Sequence, residues 1–184
     1  MNFDLKVKDI SIETFIITGK IDNKEIINNL ISFIKNTKDI ELSYKTHVKG
    51  HFTGFKSLVE NKYFHNFLKI IQPYIKIVYP QNFKIQDVWG NICKQNEEVT
   101  EHDHGNVSAF CGILYLSNDG PGTYFKQYDL LINEEIGKFV LFHPFLKHSV
   151  KKIEKEIERI TVAFNMSSIK DWDDTSKATW LNKK

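Results

Sequence analysis

The chain has 184 residues, 41% hydrophobic and 26% charged, with a formal net charge of +2. That suits one domain with a core of its own, and the near balance of charge removes the electrostatic argument for a nucleic-acid or anionic-membrane partner. Two cysteines are too few for a disulfide framework, no apolar run approaches the roughly 20 residues of a membrane span, and nothing at the N-terminus reads as a signal peptide, so a soluble, cytoplasmic protein is expected.

In chain order, Phe3-Val7 and Ile12-Thr18 suit short strands. Asp22 with Glu25 resembles a capping box and is followed by Ile26, Ile27, Leu30, Ile31 and Ile34 at helical spacing. A second amphipathic helix is expected from Ser57 to Ile71, through Leu58, Tyr63, Phe67 and Leu68, and ended by Pro73. From about Ile75 the texture changes to short strands divided by turn signals: Ile75-Val78, Lys84-Ile92, Val107-Leu116, Thr123-Phe125, Gly137-Phe142 and Ile160-Asn165. The Lys/Glu run Lys151-Arg159 reads as a solvated hairpin or loop. Neither a repeat nor a linker divides the chain. One domain over 1–184 is expected, with an N-terminal α/β support to about residue 74, a β core over about 75–166 and a C-terminal extension over 167–184. Many short strands in succession favour a mostly β sandwich or jelly roll with flanking helices over a parallel α/β sheet.

Three segments could carry chemistry. His102 and His104 stand two apart, so on a strand both point to one face while Asp103 points away. The segment GKFVLFHPFLKHSV (137–150) brings a third imidazole, His148, back after a proline bend, as a three-point metal face requires. His143, between Phe142 and Pro144, reads as structural. In ERITVAFN (158–165), Ile160, Val162 and Phe164 form one face and Arg159, Thr161, Ala163 and Asn165 the other; periodicity alone leaves open which face meets a ligand. Arg159 is the one arginine among 25 basic residues. A chain that otherwise uses lysine for positive charge keeps an arginine where the planar fork is needed, as in carboxylate recognition.

The order His-x-His, a downstream Tyr-Leu strand, Leu-Phe-x-Pro-x-x-x-His and Arg-Ile-Thr-x-x-Phe-Asn resembles the Fe(II)/2-oxoglutarate-dependent oxygenases over about residues 85–166. The likeness is to the prolyl-hydroxylase-like bacterial and phage branch, including its members with His-x-His at the first motif. The resemblance implies a double-stranded β-helix (jelly roll) core with the N-terminal helices packed on its larger sheet. It also implies Fe(II) as metal, 2-oxoglutarate as co-substrate, and O2 with an unidentified substrate, a peptide side chain or small molecule, that is hydroxylated. On it, His102 and His148 match the first and last iron ligands. His104 stands where most of the superfamily has a carboxylate, and Asp103 is the alternative third ligand. Arg159 matches the residue that grips the distal carboxylate of 2-oxoglutarate, helped by Thr161 and Tyr115, and Asn91 matches a polar residue on the strand entering the site. Trp89 and Cys111 read as core. Two other readings compete: a cupin-type three-histidine dioxygenase, disfavoured because Ser108 and Ala109 stand where its glutamate would fall, and a non-catalytic jelly roll that binds a ligand.

Overall fold

The computed structural model describes residues 14–38, 46–105, 107 and 109–169. Its strands are β1 (Ile16–Lys20), β2 (His51–Phe52), β3 (Phe83–Cys93), β4 (Val99–His102), β5 (Phe110–Tyr115), β6 (Thr123–Phe125), β7 (Leu130–Ile132), β8 (Lys138–Phe142), β9 (His148–Val150) and β10 (Arg159–Ser168). The helices are α1 (Lys24–Asn36) and α2 (Lys62–Val78). Six strands form a larger sheet in the order β1-β8-β5-β10-β3-β2, and four form a smaller one, β4-β9-β6-β7. Every pairing is antiparallel. This is the expected jelly roll, closed over a cleft between the sheets.

The alternation along β10 decides which layer is which. Ile160, Val162, Phe164 and Met166 join Leu30, Ile34, Phe64, Phe67, Ile71 and Ile75 of the helices in the main core, beside Val88, Leu114 and Leu141. Each such side chain contributes about 1.5–3 kcal/mol by leaving water, and together they seal the helices against the outer face of the larger sheet. Phe164 meets Phe64 and Phe67 edge-on, at 5.4 and 6.0 Å between ring centroids. Its cross-strand partner is Gly112, where a Cβ would sit 2.1 Å from the Phe164 ring. With that face committed to the helices, Arg159, Thr161, Ala163 and Asn165 face the cleft. Between the sheets Cys111, Ile113, Tyr115, Val140 and Phe142 meet Phe125 and Leu146.

Three local expectations are corrected. The cap of α1 is Asn23, whose side chain accepts from Ile26 N at 3.0 Å, one residue after Asp22. The second helix starts at Lys62, behind the Asn61 cap, and does not stop at Pro73. Pro73 lies on the exposed side of the helix, while Ile71 and Ile75 on either side are buried in the core. Ile75-Val78 is therefore the last turn of α2 rather than a strand, and the strands resume at Phe83. The loop expected after Lys151 is present up to Glu158. Phe3-Val7, the start of Ile12-Thr18, Asn106 and Ser108, and the extension from residue 170 onward lie outside the described residues. No described helix is long and apolar enough to cross a membrane.

Candidate functional site

His102 ends β4 and His148 begins β9, directly opposite each other in the ladder. Their rings lie 4.3 Å apart between centroids. His104 follows the end of β4, so strand alternation does not aim it. Its N–H donates to Pro144 O at 2.8 Å, and Val107 N closes a turn back on its carbonyl, also at 2.8 Å. Those two bonds carry its ring to 5.1 Å from His102 and 5.2 Å from His148. One nitrogen from each of the three imidazoles lies within 4.8 Å of the others. Asp103, exposed, instead accepts from Gly105 N at 3.2 Å in a local turn.

Two of the rings have their tautomer set by the backbone. His102 Nδ1 lies 2.8 Å from Thr100 O and His148 Nδ1 3.0 Å from Leu146 O. A carbonyl only accepts, so each Nδ1 carries the hydrogen and each Nε2 keeps its lone pair for a ligand. Phe142 packs edge-on against His148 at 4.7 Å, and Phe125 lies at 5.8 Å. Burial pushes all three histidines down from their ordinary value, His104 to about 4, with repulsion from its neighbouring imidazoles adding to the effect for His104 and His148. Three neutral donors converge at neutral pH, a set suited to Fe(II), Ni(II) or Zn(II). His143 lies outside the cluster, where its Nδ1 accepts from Phe145 N at 3.4 Å. His47 stacks flat on His102 at 4.4 Å, with its Nδ1 3.1 Å from Thr100 Oγ1.

The same cleft, about 480 Å³ with its open mouth included, has Arg159 on its wall. That side chain is 2% exposed. Its Nε donates to Pro121 O at 3.0 Å and its Nη2 to Thr123 Oγ1 at 3.4 Å, and its guanidinium lies over the Tyr115 ring at 5.5 Å. Thr161 also lines the cleft, with Asn91 Nδ2 3.5 Å from its hydroxyl. Tyr115 is fully buried behind this wall and donates to Thr123 Oγ1 at 2.7 Å. Thr123 Oγ1 accepts from both the tyrosine and the arginine, so its own hydrogen is spent on neither.

Sequence reading missed Thr123 and the buried Glu134. Glu134 Oε2 stands 3.9 Å from Arg159 Nε, and Ser117, which accepts from Ile160 N at 2.6 Å, donates to its Oε1. Burial raises the Glu134 carboxyl while Arg159 opposes the rise. Gly120 leaves the room this pair needs: a Cβ there would meet Glu134 Oε2 at 2.3 Å and Arg159 Cβ at 3.0 Å. Both residues come from turns and short strands without periodicity, and nothing in their spacing ties them to Arg159.

A scan of protein-family models and a search of curated sequences find no match to the chain. Solved structures do match. A viral collagen prolyl hydroxylase from Paramecium bursaria Chlorella virus-1, in complex with 2-oxoglutarate, is 16% identical, with a TM-score of 0.63 over 83% of this chain and 96% of that one. HygX from Streptomyces hygroscopicus, with nickel, 2-oxoglutarate and hygromycin B bound, is 12% identical, with a TM-score of 0.63 over 84% and 82%. The α-ketoglutarate-dependent epimerase SnoN from nogalamycin biosynthesis is 8% identical, with a TM-score of 0.65 over 84% and 77%. At these identities the likeness is one of architecture, and the chain has the fold of the 2-oxoglutarate- and Fe(II)-dependent oxygenases.

Proposed function

We propose that this protein is an Fe(II)- and 2-oxoglutarate-dependent oxygenase, acting as a hydroxylase on a substrate that enters the cleft with O2. One observation carries the reading: three imidazoles, each with a ring nitrogen within 4.8 Å of the others, share a cleft with a buried, preorganised arginine. His102, His104 and His148 would hold the metal. The turn that commits the Asp103 carboxylate to Gly105 N supports His104 over Asp103 as the third ligand. Bound there, Fe(II) supplies activation of O2 coupled to oxidative decarboxylation of 2-oxoglutarate to succinate and CO2.

The chain's own residues orient the co-substrate. Pro121 O and Glu134 occupy the Nε side of Arg159 and Thr123 takes one hydrogen of Nη2, which leaves Nη1 and the second hydrogen of Nη2 for the distal carboxylate. The Thr123 hydroxyl, held between Tyr115 and Arg159, donates to the same group, and Thr161 stands beside it. Tyr115 thus acts through Thr123. Three histidines and no carboxylate leave a dipositive centre, which favours a dianionic co-substrate. The buried arginine and its threonine are also what disfavour a three-histidine cupin dioxygenase, which has no dicarboxylate to hold.

Two measurements test the proposal. Wild-type protein should retain about one equivalent of Fe(II), or Ni(II) in its place, by elemental analysis, and His148→Ala should lose most of it. Wild type with Fe(II), O2 and 2-oxoglutarate should also release succinate. Equal metal content in the two proteins, or no 2-oxoglutarate binding to the metal-loaded wild type, would overturn it.

A further inference from the structure

Three buried polar atoms on side chains that line the cleft have no hydrogen-bond partner among the described residues: Trp89 Nε1, Asn91 Oδ1 and Asn165 Oδ1. The side chains are 6%, 5% and 5% exposed. Leaving such groups unpaired is costly, so three on one wall need a reason. The β3–β10 register sorts them. Asn91 lies opposite Thr161, next to the arginine end of the cleft. Trp89 lies opposite Ala163 and Asn165 opposite Asp87, so Trp89 and Asn165 are diagonal neighbours further along the same face, away from Arg159.

What each can offer is set by its chemistry. An indole nitrogen only donates. Asn165 Nδ2 donates to Asp87 Oδ2 at 3.4 Å, and Asp87 is itself paired with Lys56 at 3.1 Å. The carboxylate can face only the NH2 end of the amide, which leaves Oδ1 as an acceptor, and the broad terminal torsion of asparagine lets it swing toward a ligand. A donor and an acceptor on diagonal neighbours of one wall call for a group carrying the complementary pair.

We propose that Trp89 and Asn165 form a substrate subsite for an uncharged primary carboxamide, whose carbonyl and one N–H share an edge: the carbonyl accepts from Trp89 Nε1–H and that N–H donates to Asn165 Oδ1. A carboxylate would meet Asn165 Oδ1 and Asp87 with like polarity. An ammonium would leave the indole donor unpaired, and an ester lacks the N–H. The subsite's role as the place where substrate is held rests on the oxygenase reading; its binding chemistry does not.

The test is a heteronuclear NMR titration of the ¹⁵N-labelled full chain, without metal or 2-oxoglutarate, using acetamide, N-methylacetamide and the ester methyl acetate. The Trp89 indole and Asn165 side-chain resonances should shift saturably with acetamide, with methyl acetate weaker by about tenfold, the scale of one lost buried hydrogen bond. N-methylacetamide, whose trans unit points its carbonyl and N–H in opposite directions, should bind no better than the ester, and tighter binding of it than of acetamide would overturn the pairing. Asn165→Leu should erase the preference of amide over ester. Trp89→Phe, which keeps the edge-on packing on Phe55, should weaken amide and ester together. Equal responses to amide and ester, an unmoved indole, or a preference that survives in both variants would overturn the subsite and leave these atoms to ordered water. Because the titration uses neither metal nor 2-oxoglutarate, its failure and that of the oxygenase reading are read separately.

Discussion

Arg159→Lys keeps the charge of the proposed co-substrate site and removes its fork. In the wild type Nε bonds Pro121 O and Nη2 bonds Thr123 Oγ1, so the guanidinium is held before any ligand arrives. A lysine ammonium can point at a carboxylate but cannot present two parallel donors while also holding Pro121 O. Losing one charge-assisted bond to the co-substrate costs about 1.5–3 kcal/mol, a drop in 2-oxoglutarate affinity of roughly 10- to 150-fold. The Pro121 carbonyl also loses its donor, at about 1–3 kcal/mol, which lowers Tm by about 2–4 °C per kcal/mol in a chain of this length. Calorimetric titration of Ni(II)-loaded protein with 2-oxoglutarate reads the first effect and thermal unfolding the second, while metal content stays at the wild-type level. Unchanged 2-oxoglutarate affinity in a folded, metal-loaded Arg159→Lys would refute the assignment of this arginine, whatever happened to Tm.

Elemental analysis of paired variants decides the third ligand: Asp103→Ala should keep the metal and His104→Ala should lose much of it, and the reverse pattern would make Asp103 the ligand. The pH dependence follows from the depressed histidines. The unfolded chain takes up a proton on His104 near pH 6.5 and the folded one only near 4, so the metal-free protein should lose stability as pH falls from about 6.5 toward 4, on the order of 3 kcal/mol from His104 if fully expressed. Urea unfolding across that range checks the slope, and a flat profile would contradict the buried, neutral cluster. Gly120→Ala should push Glu134 from Arg159 and cost about 1–3 kcal/mol in the same unfolding assay, because the added Cβ falls 2.3 Å from Oε2. Phe164→Ala should cost about 3–5 kcal/mol through the cavity left under α2, leaving the ligand set of any folded fraction intact.

Most of the architecture was legible in the chain because period-2 and period-3.6 patterns are local properties. Thr123–Phe125 is a strand at the expected bounds, and β3, β8 and β10 differ from expectation by a few end residues. Pro73 misled because its usual meaning is a helix stop, yet burial of Ile71 and Ile75 on the core side holds α2 together past it. The members of the histidine cluster were also readable, since His-x-His and a third histidine after a proline bend are sequence facts. The route by which His104 reaches the cluster was not. Alternation would have aimed it by strand geometry, whereas the strand ends at His102 and a bond to Pro144 O aims it instead. Periodicity likewise split β10 into two faces without saying which was inward. That choice fell to the helices, because once Ile160, Val162 and Phe164 are buried under α1 and α2, Arg159 and Thr161 must face the cleft. Thr123, Glu134 and Gly120 meet Arg159 across 25 to 39 residues of chain, and no local pattern encodes a contact that exists only when two sheets close on each other.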